Sequence, residues 1–180
     1  MSEELTELAR LIRTKNSIDR KIAKIVGRPA LIGHVGEYIA ARIFEIELYH
    51  SASVRGSDGV FKTGPLAGKT VNIKWYTTSD NLLDLNPSGG ADYYLVLAGS
   101  SMQGVSSRGT ERPWMIDSAY LFERDDLMNK LRERGVRIGV ATSVRNEVWE
   151  AAEIYPRSKG ILQLNGEQRQ LLELFSVVGD

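Results

Sequence analysis

The chain has 180 residues, of which 42% are hydrophobic and 26% charged, and its 23 basic and 23 acidic side chains give a formal net charge of zero. This length and balance predict one globular domain with a sizeable core and argue mildly against a protein that coats nucleic acid, since such proteins are usually strongly basic. The absence of cysteine excludes disulfides, thiolate zinc sites and a cysteine nucleophile, so we expect any bound metal to be a hard ion held by oxygen atoms.

No run of about eighteen consecutive apolar residues is present, so we expect no membrane span. The acidic first residues lack the apolar stretch of a signal peptide, and we therefore expect a cytoplasmic protein. The sequence contains neither the Gly-x-x-x-x-Gly-Lys phosphate-binding motif nor the Gly-x-Ser-x-Gly nucleophile elbow. We accordingly expect no nucleotide cofactor.

Two amphipathic segments open the chain. Apolar residues at helical spacing predict one helix over 3–13 and another over 18–26, which ends at Gly27-Arg28-Pro29. We interpret residues 1–28 as an N-terminal helical cap packed on a main domain formed by residues 29–180. Seven basic residues and one acid lie between Arg10 and Arg28. Their main interpretation is a solvated helix face, and contact with nucleic-acid phosphates is the alternative.

A third helix is predicted from Gly33 to about Tyr49, and it contains the first candidate site residue, Glu37. The neighbours of Glu37 on that helix are Ala40, Ala41, Phe44 and Leu48, and no basic residue follows at i+4. A carboxylate on such a face is costly unless it is paired or binds a cation. Glu37 is therefore a functional-site candidate.

Short β signals follow the third helix, at Ala52–Arg55, Val60–Thr63 and Thr70–Tyr76. The turn-forming stretch Gly64–Gly68 predicts a β-hairpin over residues 58–76. Alternation along its second strand turns Val71, Ile73 and Trp75 to the core and makes Asn72 and Lys74 project together. A hairpin closing on Gly64–Gly68 would place Asp58 near Lys74.

The remaining elements alternate between strands and helices. Ala91–Ala98 is typical of a central buried strand, and Gly99–Arg112 of a mobile loop. Further predictions are strands at Trp114–Ile116 and Val136–Ala141 and helices at Arg124–Arg134 and Glu167–Phe175. Interleaved helices and strands predict an α/β sheet covered by helices.

The hairpin residues suit metal-dependent phosphodiester hydrolysis, which needs an activated water and a cation to neutralise charge on the phosphate. Asp58 would anchor Mg²⁺ or Mn²⁺, and the Asn72 side chain and the Ile73 carbonyl would add neutral ligands. Lys74 would orient the attacking water. Glu37 would supply a further carboxylate.

Glu37, the stretch Gly-Ser-Asp58-Gly and the stretch Val-Asn72-Ile-Lys74 together resemble the PD-(D/E)XK nuclease superfamily, over roughly residues 30–120. The resemblance implies a restriction-endonuclease-like mixed β-sheet flanked by helices and a magnesium-dependent DNA endonuclease of the restriction or repair type. Ser57 stands where the motif has proline. Asn72 replaces an acidic ligand, which removes one negative charge from the metal site and lowers magnesium affinity unless Glu37 compensates.

Three alternatives remain open at the level of sequence, one of them a small-molecule-processing enzyme, which would need a closed pocket. A catalytically inactive member of the same fold would bind nucleic acid or a protein partner. In a purely structural interpretation, Asp58 caps a turn, Lys74 is a surface lysine and Glu37 finds a partner. A homodimer is compatible with the endonuclease, because cutting both strands usually takes two active sites.

Overall fold

The computed structural model describes residues 2–50, 56–100 and 112–176. Helices and strands interleave along these residues. The helices are α1 (Glu3–Val26), α2 (Ile32–Ile43), α3 (Arg124–Glu133), α4 (Asn146–Ala152) and α5 (Gly166–Glu173). The strands are β1 (Ile46–Leu48), β2 (Gly59–Phe61), β3 (Thr70–Tyr76), β4 (Leu82–Leu83), β5 (Tyr93–Ala98), β6 (Ser118–Glu123), β7 (Thr142–Ser143) and β8 (Glu153–Tyr155).

Six of the strands form one mixed sheet in the order β1-β2-β3-β5-β6-β8, and β4 pairs with β7 in a separate ribbon. Strands β3 and β5 run parallel, and the other neighbours in the large sheet are antiparallel. The predicted α/β class, a mixed sheet flanked by helices, is confirmed. The predicted central strand is also confirmed, because β5 lies between β3 and β6 with most of its residues buried.

Both faces of the sheet are covered by helices. On one face Ile73 and Trp75 of β3 pack with Ile39 and Ala40 of α2, and on the other Tyr94 and Val96 of β5 pack with residues of α3 and α4. Helix α2 approaches β3 closely at Gly36, where a Cβ would lie 3.0 Å from the Cβ of Trp75. This close approach brings the next residue of α2, Glu37, to the edge of β3.

The N-terminal segment differs from its prediction. A single helix of 24 residues replaces the two predicted helices, because nothing in the intervening Lys15-Asn16-Ser17 forces a break. The part of the chain that the structure describes buries none of the residues of α1. Ser17, Asp19, Ile22, Ala23 and Val26 are partly covered, and α1 contacts α2. The division of the chain into an N-terminal cap and a main domain stays a prediction.

Helix α2 is shorter than predicted. It ends at Ile43, and Glu45 adopts a left-handed backbone with φ of 53°, which turns the chain into β1. The residues predicted as the last turn of the helix, Ile46–Leu48, are therefore an edge strand.

Two predicted strands are also wrong. In Trp114–Ile116 the Ile116 N–H donates to the carbonyl of Phe175, so this segment is tied to the C-terminal helix and not to the sheet. Residues 136–141 are irregular, with Ala141 at φ of 53°, and the strand follows at Thr142.

The helices predicted at Arg124–Arg134 and Glu167–Phe175 are confirmed as α3 and α5, whereas α4 and β8 were not predicted. The predicted strand Ala52–Arg55 and most of the predicted loop Gly99–Arg112 lie outside the described residues. No helix among the described residues is both long and apolar enough to cross a bilayer.

Candidate functional site

The predicted β-hairpin is present as β2 and β3, but with a different register. Gly59 pairs with Val71 and Val60 with Thr70, so Asp58 comes opposite Asn72 and not Lys74. The cause is the connection, which includes a short 3-10 helix at Gly64–Leu66 and is longer than the predicted five-residue turn. Because the register differs by two positions, each side chain keeps its predicted face.

Asp58 occupies a fork where β2 separates from β3. Its N–H donates to the carbonyl of Val71 at 2.8 Å, and its carbonyl accepts from the N–H of Tyr49 at 2.9 Å. The Asp58 side chain takes the place of a β2 backbone acceptor for Ile73 of β3. Its Oδ2 accepts a hydrogen bond from the N–H of Ile73 at 2.7 Å. These bonds hold the carboxylate at one place on the sheet edge.

The small residues around Asp58 are required by this geometry. A Cβ on Gly59 would lie 2.5 Å from the carbonyl oxygen of Glu47, and a Cβ on Gly56 would lie 2.7 Å from the Cα of Gly89. Gly56 also has a φ of +80°, which disfavours other residues. Ser57 is buried, and its hydroxyl lies 3.2 Å from the carbonyls of both Gly59 and Val71, so it ties the strand entry to β3.

Glu37 and Asp58 line the same cleft, which has a volume of about 570 Å³. Its described lining comes from the end of α1 and the turn after it, from α2, from the end of β1 and from the entry of β2: Val26, Gly27, Arg28, Glu37, Leu48, Tyr49, His50, Ser57 and Asp58. The structure therefore brings together the two carboxylates that the sequence singled out.

Glu37 is not the unpaired carboxylate that its helix neighbours suggested. The Arg28 guanidinium donates to Glu37 Oε2, and the Glu37 side chain is 19% exposed. This partner was missed at the level of sequence because Arg28 precedes α2. Glu37 was compared there only with residues on the same helix, such as the one four positions later. The feature of the sequence that could have pointed to Arg28 is its position in the helix stop Gly27-Arg28-Pro29. Gly27, at φ of 74°, changes the direction of the chain there.

The pKa of Asp58 depends on the burial of its side chain, on one hydrogen bond and on three charged neighbours. Burial raises the pKa of Asp58 above its usual range, and the nearby charge of Glu37 raises it further. The hydrogen bond from Ile73 and the charges of Lys74 and Arg28 lower it, but do not cancel the effect of burial. The carboxyl of Asp58 thus interacts with Glu37, Lys74 and Arg28 at once.

Asn72 and Lys74 lie on β3 beside this fork, on the face opposite to Val71, Ile73 and Trp75, as predicted. Asn72 is 8% exposed, and its Oδ1 is a buried acceptor with no hydrogen-bond partner among the described residues. Lys74 is half-buried and is not part of the cleft lining described above. Asn72 and Lys74 therefore lie on the face of the sheet that α2 does not cover, and the charge of Lys74 acts on the carboxyl of Asp58.

The donor set at the fork consists of oxygen atoms, which suits Mg²⁺ or Mn²⁺. The cleft supplies two carboxylates, Glu37 and Asp58, whereas the buried amide oxygen of Asn72 lies on β3 outside the described cleft lining. The described residues contain no group of three or more His, Cys, Asp or Glu side chains that could hold a metal. The residues fit a magnesium ion that completes its coordination with water and substrate phosphate, as this ion usually does.

The raised pKa of Asp58 predicts a stability difference between two substitutions. A raised pKa means that folding favours the protonated carboxyl, so this contribution to stability is present at low pH and is lost as pH rises through the pKa of the folded state. Asp58→Asn keeps an acceptor for the Ile73 N–H and removes the charge. We expect its free energy of unfolding at pH 7 to equal or exceed that of the wild type.

Asp58→Ala is the matched comparison, because it leaves the buried N–H of Ile73 without an acceptor. We expect it to be about 1–3 kcal/mol less stable than Asp58→Asn. Urea denaturation at pH 4 and pH 7 measures both differences. An Asp58→Asn variant clearly less stable than the wild type at pH 7 would contradict the cost assigned to the buried charge.

Comparison of the sequence with protein-family models and with curated proteins found no match for this chain.

Proposed function

We propose that the chain is a divalent-metal-dependent endonuclease that hydrolyses phosphodiester bonds in DNA, built on a restriction-endonuclease-like fold of the PD-(D/E)XK superfamily. The observation that carries the proposal is the cleft shared by Glu37 and Asp58 at the fork between β2 and β3, where the charges of Glu37 and Lys74 both act on the Asp58 carboxyl. An ionisable residue whose pKa is shifted by burial and by charged neighbours, and which lines a cleft, marks a candidate functional site.

In this proposal, Asp58 and Glu37 hold Mg²⁺ or Mn²⁺, with the Asn72 amide oxygen and the Ile73 carbonyl as neutral ligands. The bound ion would neutralise charge on the phosphate oxygens and lower the pKa of a bound water. Asp58 is suited to anchoring because its backbone and Oδ2 are fixed by hydrogen bonds. Its raised pKa means that protons compete with the ion more strongly than at an ordinary aspartate.

Lys74 and Arg28 supply positive charge that acts on the Asp58 carboxyl. Lys74 would orient the attacking water and stabilise negative charge that develops at the phosphate. Arg28 lines the cleft and pairs with Glu37, so its guanidinium can also meet a phosphate when DNA enters the cleft. DNA is a reasonable occupant because an open cleft of about 570 Å³ accommodates a backbone segment.

A second candidate function is a non-catalytic module of the same fold that binds nucleic acid or a protein. Two observations favour it. Asn72 contributes no charge, and Arg28 already neutralises Glu37, so that carboxylate is paired without an added ion. In this case the fork would serve binding alone.

Cleavage of supercoiled plasmid separates the two functions. We expect the wild-type protein to nick or linearise plasmid in Mg²⁺ or Mn²⁺ and to lose this activity on chelation. Isothermal titration calorimetry with the metal alone should detect binding that weakens as pH falls toward the raised pKa of Asp58. DNA binding without measurable metal affinity, and without cleavage in either metal, would identify the module.

A further inference from the structure

Helix α1 presents a long apolar stripe to solvent. Leu8, Leu11, Lys15, Ile18, Ile22 and Ile25 follow one another at alternating steps of three and four residues, which is the spacing of a coiled-coil seam. The large apolar side chains of α1 that are most open to solvent are 49–68% exposed: Leu5, Leu8, Leu11, Ile12, Ile18 and Ile25. Monomeric proteins rarely expose an apolar surface of this extent, so the stripe is suited to contact with a partner.

Helix α1 also gains little stability from contacts with the rest of its own chain. Its ion pairs, Arg10 with Glu7 and Lys15 with Asp19, are local and exposed. Most helical stability in proteins comes from packing an apolar face, and the described part of the chain buries no residue of α1. The described residues cover only part of the second half of α1, so a partner that buries its exposed apolar stripe comes from outside the described residues.

The charges along α1 indicate what that partner is. Glu3, Glu4 and Glu7 lie near the start of the helix, whereas its end carries Arg20, Lys21 and Lys24. Two copies of α1 side by side in the same direction would place like charges together. Two copies in opposite directions, with Leu11 of one level with Ile22 of the other, bring Glu7 of each copy level with the stretch between Lys24 and Arg28 of the other. The helix thus carries its own electrostatic complement.

We propose that α1 pairs with α1 of a second copy of this chain in an antiparallel coiled coil, related by a two-fold axis. The seam spacing then sets Leu11 of each copy against Ile22 of the other, and Leu8 against Ile25. Lys15 lies beside Ile18 near the axis, with its methylene groups in the seam and its ammonium group still bound to Asp19 at 2.6 Å.

This pairing does not depend on the proposed nuclease function, although it has a consequence for the cleft. The end of α1 and the turn after it, Val26, Gly27 and Arg28, form one wall of the cleft that holds Glu37 and Asp58. Association through α1 therefore fixes the segment that carries Arg28 in both copies.

Sedimentation equilibrium of the full chain tests the proposal, and we expect a concentration-dependent dimer for the wild type. The double variant Leu11→Ala/Ile18→Ala keeps helix propensity and should raise the dimer dissociation constant roughly a hundredfold or more. Its matched control is Ile161→Ala/Leu174→Ala, which removes two apolar side chains equally exposed elsewhere on the molecule and should leave the constant unchanged. A wild-type chain that stays monomeric, or equal loss in both variants, overturns the proposal.

Disulfide trapping then fixes the direction of the helices, because the chain has no native cysteine. Leu11→Cys and Ile22→Cys proteins, purified separately and mixed, should form the mixed disulfide. Disulfides require Cα atoms within about 7 Å. Two copies of Leu11 would lie about 16 Å apart in the antiparallel pair, so Leu11→Cys alone should not cross-link. Efficient cross-linking of Leu11→Cys alone shows a parallel pair and overturns the proposed geometry.

Discussion

Asp58→Asn is expected to lower the rate of plasmid cleavage by roughly a thousandfold or more. The substitution leaves the shape of the side chain and the hydrogen bond from Ile73 in place, but it removes the negative charge that would hold the cation. We expect metal binding by calorimetry to fall with cleavage, while the protein remains at least as stable as the wild type. Loss of function without loss of stability is the signature of a residue retained for activity.

Two variants serve as controls for this loss. Asp125→Asn makes the same chemical change at an exposed carboxylate at the start of α3 and should cleave at the wild-type rate. Lys74→Met keeps the apolar stem of the lysine on β3, and it should lose cleavage but keep metal affinity. Cleavage by Asp58→Asn within a few fold of the wild type would show that the fork is not the catalytic site.

The hairpin shows which part of such a site the sequence can predict. The strand period alone assigns Val71, Ile73 and Trp75 to the core and Asn72 and Lys74 to the other face, and this assignment survives because the register changed by an even number of positions. The residue opposite Asp58 was predicted wrongly. It depends on the conformation of the Gly64–Leu66 connection, which a count of turn residues does not determine.

Glu37 shows why other contacts of the site could not be predicted from the sequence. Its partner Arg28 lies outside α2, and the two meet because Gly27 and Pro29 turn the chain between α1 and α2. Rules for pairs on one helix cannot detect a contact made across such a turn. The packing of helix α1 could not be predicted for a similar reason. An amphipathic stripe predicts that a face is buried but not which surface buries it.

Asn72→Asp is expected to raise the affinity for Mg²⁺ at least about tenfold, which corresponds to about 1.4 kcal/mol. The substitution adds a third carboxylate beside Asp58 at nearly constant volume, where Asn72 Oδ1 now has no hydrogen-bond partner among the described residues. Because position 72 is 8% exposed, the new charge is costly in the absence of metal. We therefore expect a lower melting temperature without metal and a larger rise on adding Mg²⁺ than in the wild type.

Asn129→Asp, at an exposed position of α3, is the matched control and should change neither quantity. Calorimetry and thermal unfolding with Mg²⁺ alone measure both effects without relying on cleavage. Tighter magnesium binding together with faster cleavage would mean that Asn72 limits an active nuclease. Tighter binding with no cleavage in any metal would favour the binding module. Unchanged affinity would show that Asn72 does not face a cation, because a carboxylate placed beside Asp58 and Glu37 must strengthen any shared ion site.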